Sequence, residues 1–168
     1  LKIIRGGTSC YTIAMCAMAG HEDACLSFRD ADIAMITKLR ESIKKLKSEG
    51  VEWMACFPSN PLIEAVAKVG IRPIAFRHER GAVMAADAYS RLGDRNRFGV
   101  VAVQSQAGAE NAMGGISQAF ADNVPILVLP GGAALASAAV RPNFSAFNTY
   151  QTITKQVEVI LRPEQVGD

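Results

Sequence analysis

The pattern of apolar and polar positions becomes regular at Ile33. From there to Leu46 apolar side chains recur every three or four residues, while the lysines and Arg40 fall mostly on the other sides of the turn. This spacing predicts an amphipathic helix over residues 33–46. Gly50 follows as a residue suited to a left-handed helix end, and the apolar stretch over 51–57 then predicts a buried strand.

Strands and helices alternate along the chain as far as about residue 130. The predicted strands are apolar at successive positions, which is typical of strands covered on both faces. The sequence therefore predicts an α/β fold with three layers, α/β/α, around a mainly parallel sheet. After 51–57 the predicted strands are 71–77, 98–104, 126–129 and a last one near 156–161, and the predicted helices are 62–68, 82–92 and 111–120.

The loops that follow the strands are where a ligand is expected. Right-handed crossovers place every strand-to-helix loop at the same edge of a parallel sheet, and ligands usually bind beside the carboxyl ends of the strands. Three loops qualify, over residues 58–61, 78–81 and 105–111.

Composition narrows the class of protein. The chain has 168 residues, of which 49% are hydrophobic, and this suits one globular domain. Its 18 basic and 16 acidic residues include no dense basic stretch, so nucleic acid is not an expected partner. No apolar run reaches the roughly 20 residues of a membrane-spanning helix, so no membrane is expected either. The four cysteines form no CxxC pair, which favours reduced thiols, and we expect a soluble, cytoplasmic protein.

Residues 1–31 differ from the rest of the chain. They carry a Gly-Gly pair, scattered cysteines and no sustained period, and they are interpreted as an irregular leader or a tag-like appendage. A signal peptide is the alternative, because Lys2 and Arg5 precede a short apolar stretch that ends in Ala-Met-Ala at 17–19. The predicted domain then spans residues 32–168.

Glu79 is the principal candidate for chemistry. A carboxyl group between a strand and a helix, among apolar neighbours, can be partly desolvated, which raises its affinity for a proton. A glutamate at a helix start is also favoured by the helix dipole without any catalytic role. These residues alone leave both interpretations open. The chain contains none of the P-loop, GxGxxG, HExxH or GxSxG motifs, and no triad forms around its two histidines.

The residues around Glu79 read RHERGAVMAADAYSR, and QSQAGAEN and DNVPILVLPGG follow further along the chain. The first predicted helix, the first strand and the loop at Phe57 and Pro58 precede them. This ordered series resembles the amino-terminal domain of thiamine-diphosphate enzymes of the acetolactate synthase-like group, over roughly residues 33–155. The resemblance implies the thiamine-diphosphate-binding fold of a pyrimidine-binding domain.

The resemblance also implies a role for Glu79. In that family the equivalent glutamate hydrogen-bonds the N1′ atom of the cofactor's aminopyrimidine ring, and the activated cofactor attacks a 2-oxo acid. We therefore expect a carboligase or decarboxylase, a transferase or lyase, that uses thiamine diphosphate. Pro58, Ser59, Gly108 and Asn111 would bind the cofactor together with Glu79.

Several loop positions depart from the family's pattern. The segment 104–111 stands where the family has Thr-Ser-Gly-Pro-Gly-Ala-Thr-Asn, so Gly108 and Asn111 match, whereas Gln106 and Ala107 replace glycine and proline. Gly108 as a simple turn residue and Asn111 as a helix cap are the plainer interpretations. Near the end, Phe147 and Asn148 resemble a substrate-facing phenylalanine and glutamine. Phe144 is the alternative aromatic, and core packing is an alternative role for either phenylalanine.

The family's magnesium- and diphosphate-binding segment has no counterpart in this sequence. We therefore expect Mg²⁺ to be bound through a diphosphate domain that is not in this chain, and no metal to be bound by the chain itself. The expected partners are a second copy, as a homodimer or higher oligomer, or a complementary diphosphate-domain subunit. FAD is a further cofactor of some full-length relatives. The alternatives are a split subunit of a sulfopyruvate- or phosphonopyruvate-type decarboxylase, and a non-catalytic orphan domain that mediates association.

Overall fold

A parallel β-sheet organises the molecule. The computed structural model describes residues 11–15, 43–58, 62–93, 97–132, 140–141 and 144–160. In these ranges the sheet has six strands in the order β3-β2-β4-β5-β1-β6, and every neighbouring pair is parallel. The strands are β1 (Tyr11–Met15), β2 (Trp53–Cys56), β3 (Arg72–Ala75), β4 (Gly99–Val103), β5 (Ile126–Pro130) and β6 (Gln156–Ile160).

Helices connect the strands, as parallel pairing requires. Residues 43–48 are helical and are called α1 here. The turn after α1 contains Gly50 at φ +85°, a left-handed conformation that glycine adopts without steric cost, as the sequence predicts. The other helices are α2 (Leu62–Lys68), α3 (Glu79–Leu92), α4 (Ala107–Ala121) and the short α5 (Ala146–Tyr150).

Two hydrophobic cores lie on opposite faces of the sheet. The fully buried strand β4 contributes to both, because successive side chains of a strand point to opposite faces. Val101 and Val103 join α3 and α4 in one core, whereas Val100 and Ala102 join α1 and α2 in the other. The three-layer α/β/α fold with a parallel sheet is therefore confirmed.

The third predicted loop differs from the structure. The sequence predicts a loop over 105–111 and a helix from Asn111, but α4 begins at Ala107. Gln106 is its N-cap, so Asn111 lies within the helix and does not cap it. Sequence propensity places the boundary too late because Gly108 is a poor helix former, whereas the close packing of α4 on α3 favours the helix.

The segment predicted as an irregular appendage contains a strand. β1 lies between β5 and β6, with Tyr11 opposite Leu127 on one side and Gln156 on the other. The interpretation of residues 1–31 as irregular is therefore wrong at Tyr11–Met15. Tyr, Thr and Ile favour strands, and parallel pairing on both sides satisfies the backbone. The rest of this segment, including Lys2, Arg5 and residues 17–19, lies outside the described residues.

Candidate functional site

Glu79 is the first residue of α3, just beyond the carboxyl end of the edge strand β3. His78 caps the helix from an extended conformation, and its Nδ1 accepts a hydrogen bond from the backbone N–H of Arg80 at 3.2 Å. Glu79 itself is only 3% exposed, whereas His78 and Arg80 on either side are exposed. The turn therefore points one carboxylate into the protein at the edge where ligands bind to parallel sheets.

The loop and helix after β4 surround this carboxylate. Asn111, in the second turn of α4, donates a hydrogen bond from Nδ2 to Glu79 Oε2 at 3.2 Å. The other oxygen, Oε1, lies against Gly108, where a Cβ atom would come within 2.8 Å of it. The same Cβ would lie 2.6 Å from the Cβ of Gln104. Glycine at 108 is thus required by the close approach of α4 to the carboxylate, which goes beyond the plain role of turning the chain.

Gln106 has an unusual backbone conformation at the start of α4. Its φ of 56° and ψ of −118° lie in a region that glycine adopts freely and other residues rarely do. Such a conformation costs on the order of 1–3 kcal/mol and persists where the surroundings fix it. The side chain of Gln106 makes a tertiary contact, in which its Oε1 accepts a hydrogen bond from the backbone N–H of Phe144 at 3.0 Å.

Tyr150, the last residue of α5, contacts α4 from the other side. It is completely buried, and its hydroxyl donates a hydrogen bond to the carbonyl of Ala109. Its own carbonyl accepts from the buried Thr154 hydroxyl at 2.7 Å. Burial raises the pKa of the Tyr150 phenol above its ordinary value, and the negative charge of Glu79 raises it further. The phenol therefore remains neutral and acts as a fixed donor.

The structure brings three of the predicted site residues together and leaves others apart. Glu79, Gly108 and Asn111 are in mutual contact through Glu79. Pro58 is exposed directly after the strand β2, and Ser59 lies outside the described residues. Phe147 and Asn148 are exposed on α5, and the contacts of the Glu79 carboxylate do not include them. Of the two candidate phenylalanines, it is Phe144 that packs partly buried against the core.

Two residues of this site escaped the sequence analysis. Gln106 was identified there only as a departure from the family's glycine, and nothing in the sequence shows that its amide reaches Phe144. Tyr150 was not predicted at all. A buried tyrosine normally needs a partner for its hydroxyl, but that signal exists only once its burial is known.

Other possible chemistry is limited within the described part of the chain. No group of three or more His, Cys, Asp and Glu side chains there could hold a metal ion. Cys56 is a free thiol in the core, and burial raises its pKa. In the same ranges, no helix combines the length and the apolar character needed to cross a membrane.

The parallel three-layer fold, with a buried glutamate beyond the carboxyl end of its edge strand, defines an α/β domain of the class that binds ligands at this edge of the sheet. The chain belongs to the thiamine pyrophosphate enzyme family, and it matches the family's N-terminal TPP binding domain over residues 37–159. This match confirms the predicted fold family and the thiamine-diphosphate cofactor. The predicted domain boundaries at 31 and 32 stay a prediction.

Several relatives of this chain are acetolactate synthases. The acetolactate synthase large subunits of Lactococcus lactis and Haemophilus influenzae are 40% and 36% identical over 93 residues, which cover 53% of this chain and 16% of each relative. A probable acetolactate synthase large subunit of Methanocaldococcus jannaschii is 31% identical over 131 residues, covering 75% of this chain and 22% of that protein. The chain is thus an acetolactate synthase-like domain that spans less than a quarter of these relatives.

Proposed function

We propose that this chain supplies the pyrimidine-binding part of a thiamine-diphosphate enzyme that ligates or decarboxylates 2-oxo acids, as acetolactate synthase does. The observation that carries the proposal is the buried carboxylate of Glu79, held by Asn111 at the carboxyl edge of the sheet. Burial of a charged carboxylate costs free energy of desolvation. A glutamate that only interacted favourably with the helix dipole could avoid this cost by staying exposed at the helix start.

The residues present fit the aminopyrimidine end of the cofactor. Gly108 lets the start of α4 approach Glu79 Oε1 closely, because a Cβ atom there would lie 2.8 Å from that oxygen. Thiamine diphosphate, when bound, supplies the carbon nucleophile and the electron sink for reactions of 2-oxo acids. Glu79 would hold a proton toward the ring nitrogen N1′, and Asn111 would orient the carboxyl group by holding Oε2.

The remaining parts of the catalytic site belong to the proposal as well. Mg²⁺ and the diphosphate group would be bound by a diphosphate domain, supplied by a second copy in a homodimer or higher oligomer, or by a complementary subunit. FAD would be an additional cofactor in a full-length protein of this kind. Pro58, Ser59, Phe147 and Asn148 would complete the contacts to cofactor and substrate. Such an enzyme would act as a transferase or lyase in the cytoplasm.

The relatives bear on the alternatives. They are acetolactate synthases, and they favour this proposal over a split subunit of a sulfopyruvate- or phosphonopyruvate-type decarboxylase. An orphan domain that only associates with a partner would have no use for a buried carboxylate at the carboxyl edge of the sheet. Titration of thiamine diphosphate and Mg²⁺, with and without a diphosphate-domain partner, separates the cases. Partner-dependent binding supports an enzyme, and no binding in either arm supports the orphan.

Replacement of Glu79 by glutamine tests the catalytic role directly. In the complete enzyme Glu79→Gln keeps the size of the side chain and removes its ability to exchange a proton. We expect turnover of 2-oxo acids to fall by a factor of about 10² or more. Glu52→Gln is the matched control, because Glu52 is an exposed carboxylate at the amino end of β2. Equal turnover of both variants, with folding intact, would overturn the proposal.

A further inference from the structure

Gln106 joins two parts of the molecule that lie far apart in the sequence. It is the N-cap of α4, two residues before Gly108, and its Oε1 accepts the backbone N–H of Phe144 at 3.0 Å. Phe144 begins the short segment 144–150, which ends with α5. The amide therefore ties this segment to the same turn that meets the Glu79 carboxylate.

A second tie fixes the other end of the segment. The Tyr150 hydroxyl donates to the carbonyl of Ala109 in the first turn of α4. The segment is thus attached to the start of α4 at its first and last residues. Between these attachments, Ser145 caps α5 by accepting the N–H of Asn148 at 3.3 Å, and Phe147 and Asn148 remain exposed.

The backbone of Gln106 is in a disfavoured conformation at the point of attachment. At φ 56° and ψ −118° glycine would be the unstrained residue, so glutamine is disfavoured there by its own conformation. A residue in such a conformation persists where the surrounding structure fixes it. The Gln106 side chain is long enough to accept the Phe144 N–H at 3.0 Å, which glycine could not do.

We propose that Gln106 is a positioning residue that sets where Phe147 and Asn148 stand relative to Glu79, and through them the preference among 2-oxo acids. This inference rests on the proposed function for the identity of the substrate. The attachment of the segment by Gln106 is independent of it. Gln106 acts through the segment 144–150, to which its amide oxygen is hydrogen-bonded at Phe144.

The first test compares Gln106→Gly with Gln106→Glu in the complete enzyme. Glycine accepts the backbone conformation and loses the amide, whereas glutamate keeps an acceptor at the same reach. For Gln106→Gly we expect KM for pyruvate to rise roughly tenfold, the value of one lost positioning hydrogen bond, with a smaller change in kcat. The ratio of kcat/KM between pyruvate and 2-oxobutyrate should also change. Gln106→Glu should retain the wild-type KM and ratio.

Asn123→Gly is the matched control. Asn123 is also a non-glycine residue at positive φ, at 54°, but it lies exposed after the opposite end of α4. Replacement by glycine relieves the same kind of backbone conformation without touching the segment 144–150. A rise in KM in both variants would mean that backbone relief is the cause, and it would overturn the inference. Unchanged KM and an unchanged substrate ratio in Gln106→Gly would do the same.

A second measurement does not depend on activity. Amide hydrogen exchange over residues 144–150 of the complete enzyme should become faster in Gln106→Gly and stay at the wild-type rate in Gln106→Glu and Asn123→Gly. Equal exchange in all four proteins would overturn the attachment itself. Failure of the proposed function is recognised separately, as retained turnover in Glu79→Gln, and the exchange measurement still decides the role of Gln106.

Discussion

Asn111 donates a hydrogen bond from Nδ2 to Oε2 of Glu79 across 3.2 Å, and this bond joins α4 to the first residue of α3. The two residues are 32 positions apart in the sequence, and each lies in the helix that follows a strand of the parallel sheet. The bond gives a buried carboxylate a neutral donor, which orients the carboxyl group without adding a positive charge beside it. The hydrogen bond fixes the position of Oε2, and the planar carboxyl group then also fixes the position of Oε1.

Loss of this donor should be measurable as lost stability. Asn111→Ala leaves a carboxylate that is 3% exposed without the amide partner, and a buried charged group with a missing partner costs about 1–3 kcal/mol. Urea denaturation followed by circular dichroism should show a corresponding decrease in the free energy of unfolding. Asn148→Ala, at an exposed position, should change it by less than about 0.5 kcal/mol. Equal midpoints for both variants would contradict the structural role of the bond.

Gly108 should tolerate no side chain. In Gly108→Ala the new Cβ would meet Glu79 Oε1 at 2.8 Å and Gln104 Cβ at 2.6 Å, so α4 or the carboxylate must move. We expect a loss of about 1–3 kcal/mol of stability and weaker binding of thiamine diphosphate in the complete enzyme. Thermal denaturation and a cofactor titration measure the two effects.

Gly81→Ala provides the comparison for Gly108→Ala, because its Cβ would only touch Phe76 Cδ1 at an ordinary 3.8 Å. Gly81 lies within α3, where alanine is a better helix former by about 1 kcal/mol. The Gly81 variant should therefore be at least as stable as the wild type. If both glycine variants lost the same stability, the close approach of Gly108 to Glu79 would not be the reason.

Ser90 should matter through its hydroxyl. In α3, Ser90 Oγ accepts the buried N–H of Gly99 at 2.7 Å and lies 2.7 Å from the carbonyl oxygen of Pro125, to which it can donate. Ser90→Ala leaves both backbone groups without this partner, and we expect about 1–3 kcal/mol of destabilisation in urea. Ser48→Ala is the matched control, since its hydroxyl bonds a carbonyl at an exposed position. A destabilisation no larger than that of Ser48→Ala would show that the Ser90 network is dispensable.

The elements that local pattern specifies could be predicted from the sequence. The strand at Gly99–Val103 is apolar at each position, and the helix at Leu62–Lys68 follows a loop with two prolines and is followed by Gly70. Glu79 could be placed between strand and helix for the same reason. Its contact with Asn111 could be expected only from the shared edge of the sheet, because no pattern in the sequence encodes a distance.

The parts that were missed depend on tertiary contacts. β1 is a short stretch, and a strand of five residues between Gly-Gly and scattered cysteines has too weak a pattern to be recognised before its partners β5 and β6 are known. The positive φ of Gln106 is likewise invisible in the sequence, which favours glycine for such a conformation. Its bond to Phe144 spans 38 residues and is fixed only when the sheet has formed.

Tyr150 gives a prediction with a defined pH dependence. Burial raises its pKa, the charge of Glu79 raises it further, and the unfolded phenol titrates near pH 10. A group whose pKa is raised on folding contributes stability that is present below its unfolded pKa and is lost as the pH rises through the folded pKa. Tyr150→Phe removes both this titration and the hydrogen bond to Ala109, so the variant should be less stable at neutral pH by about 1 kcal/mol.

Above about pH 10 the free energies of unfolding of wild type and Tyr150→Phe should converge. The Tyr150 phenol then ionises in the unfolded state but stays protonated in the folded state, and this lowers the stability of the wild type only. Urea denaturation between neutral pH and about pH 11 measures the difference at each pH. Tyr89→Phe is the control, since Tyr89 is a half-buried tyrosine whose ring packs edge-on against Trp53 at 5.2 Å. The difference in free energy of unfolding between wild type and variant should decrease more with pH for Tyr150→Phe than for this control. A difference that stays constant with pH would contradict the raised pKa of Tyr150 and leave only its hydrogen bond to Ala109 as the source of the stabilisation.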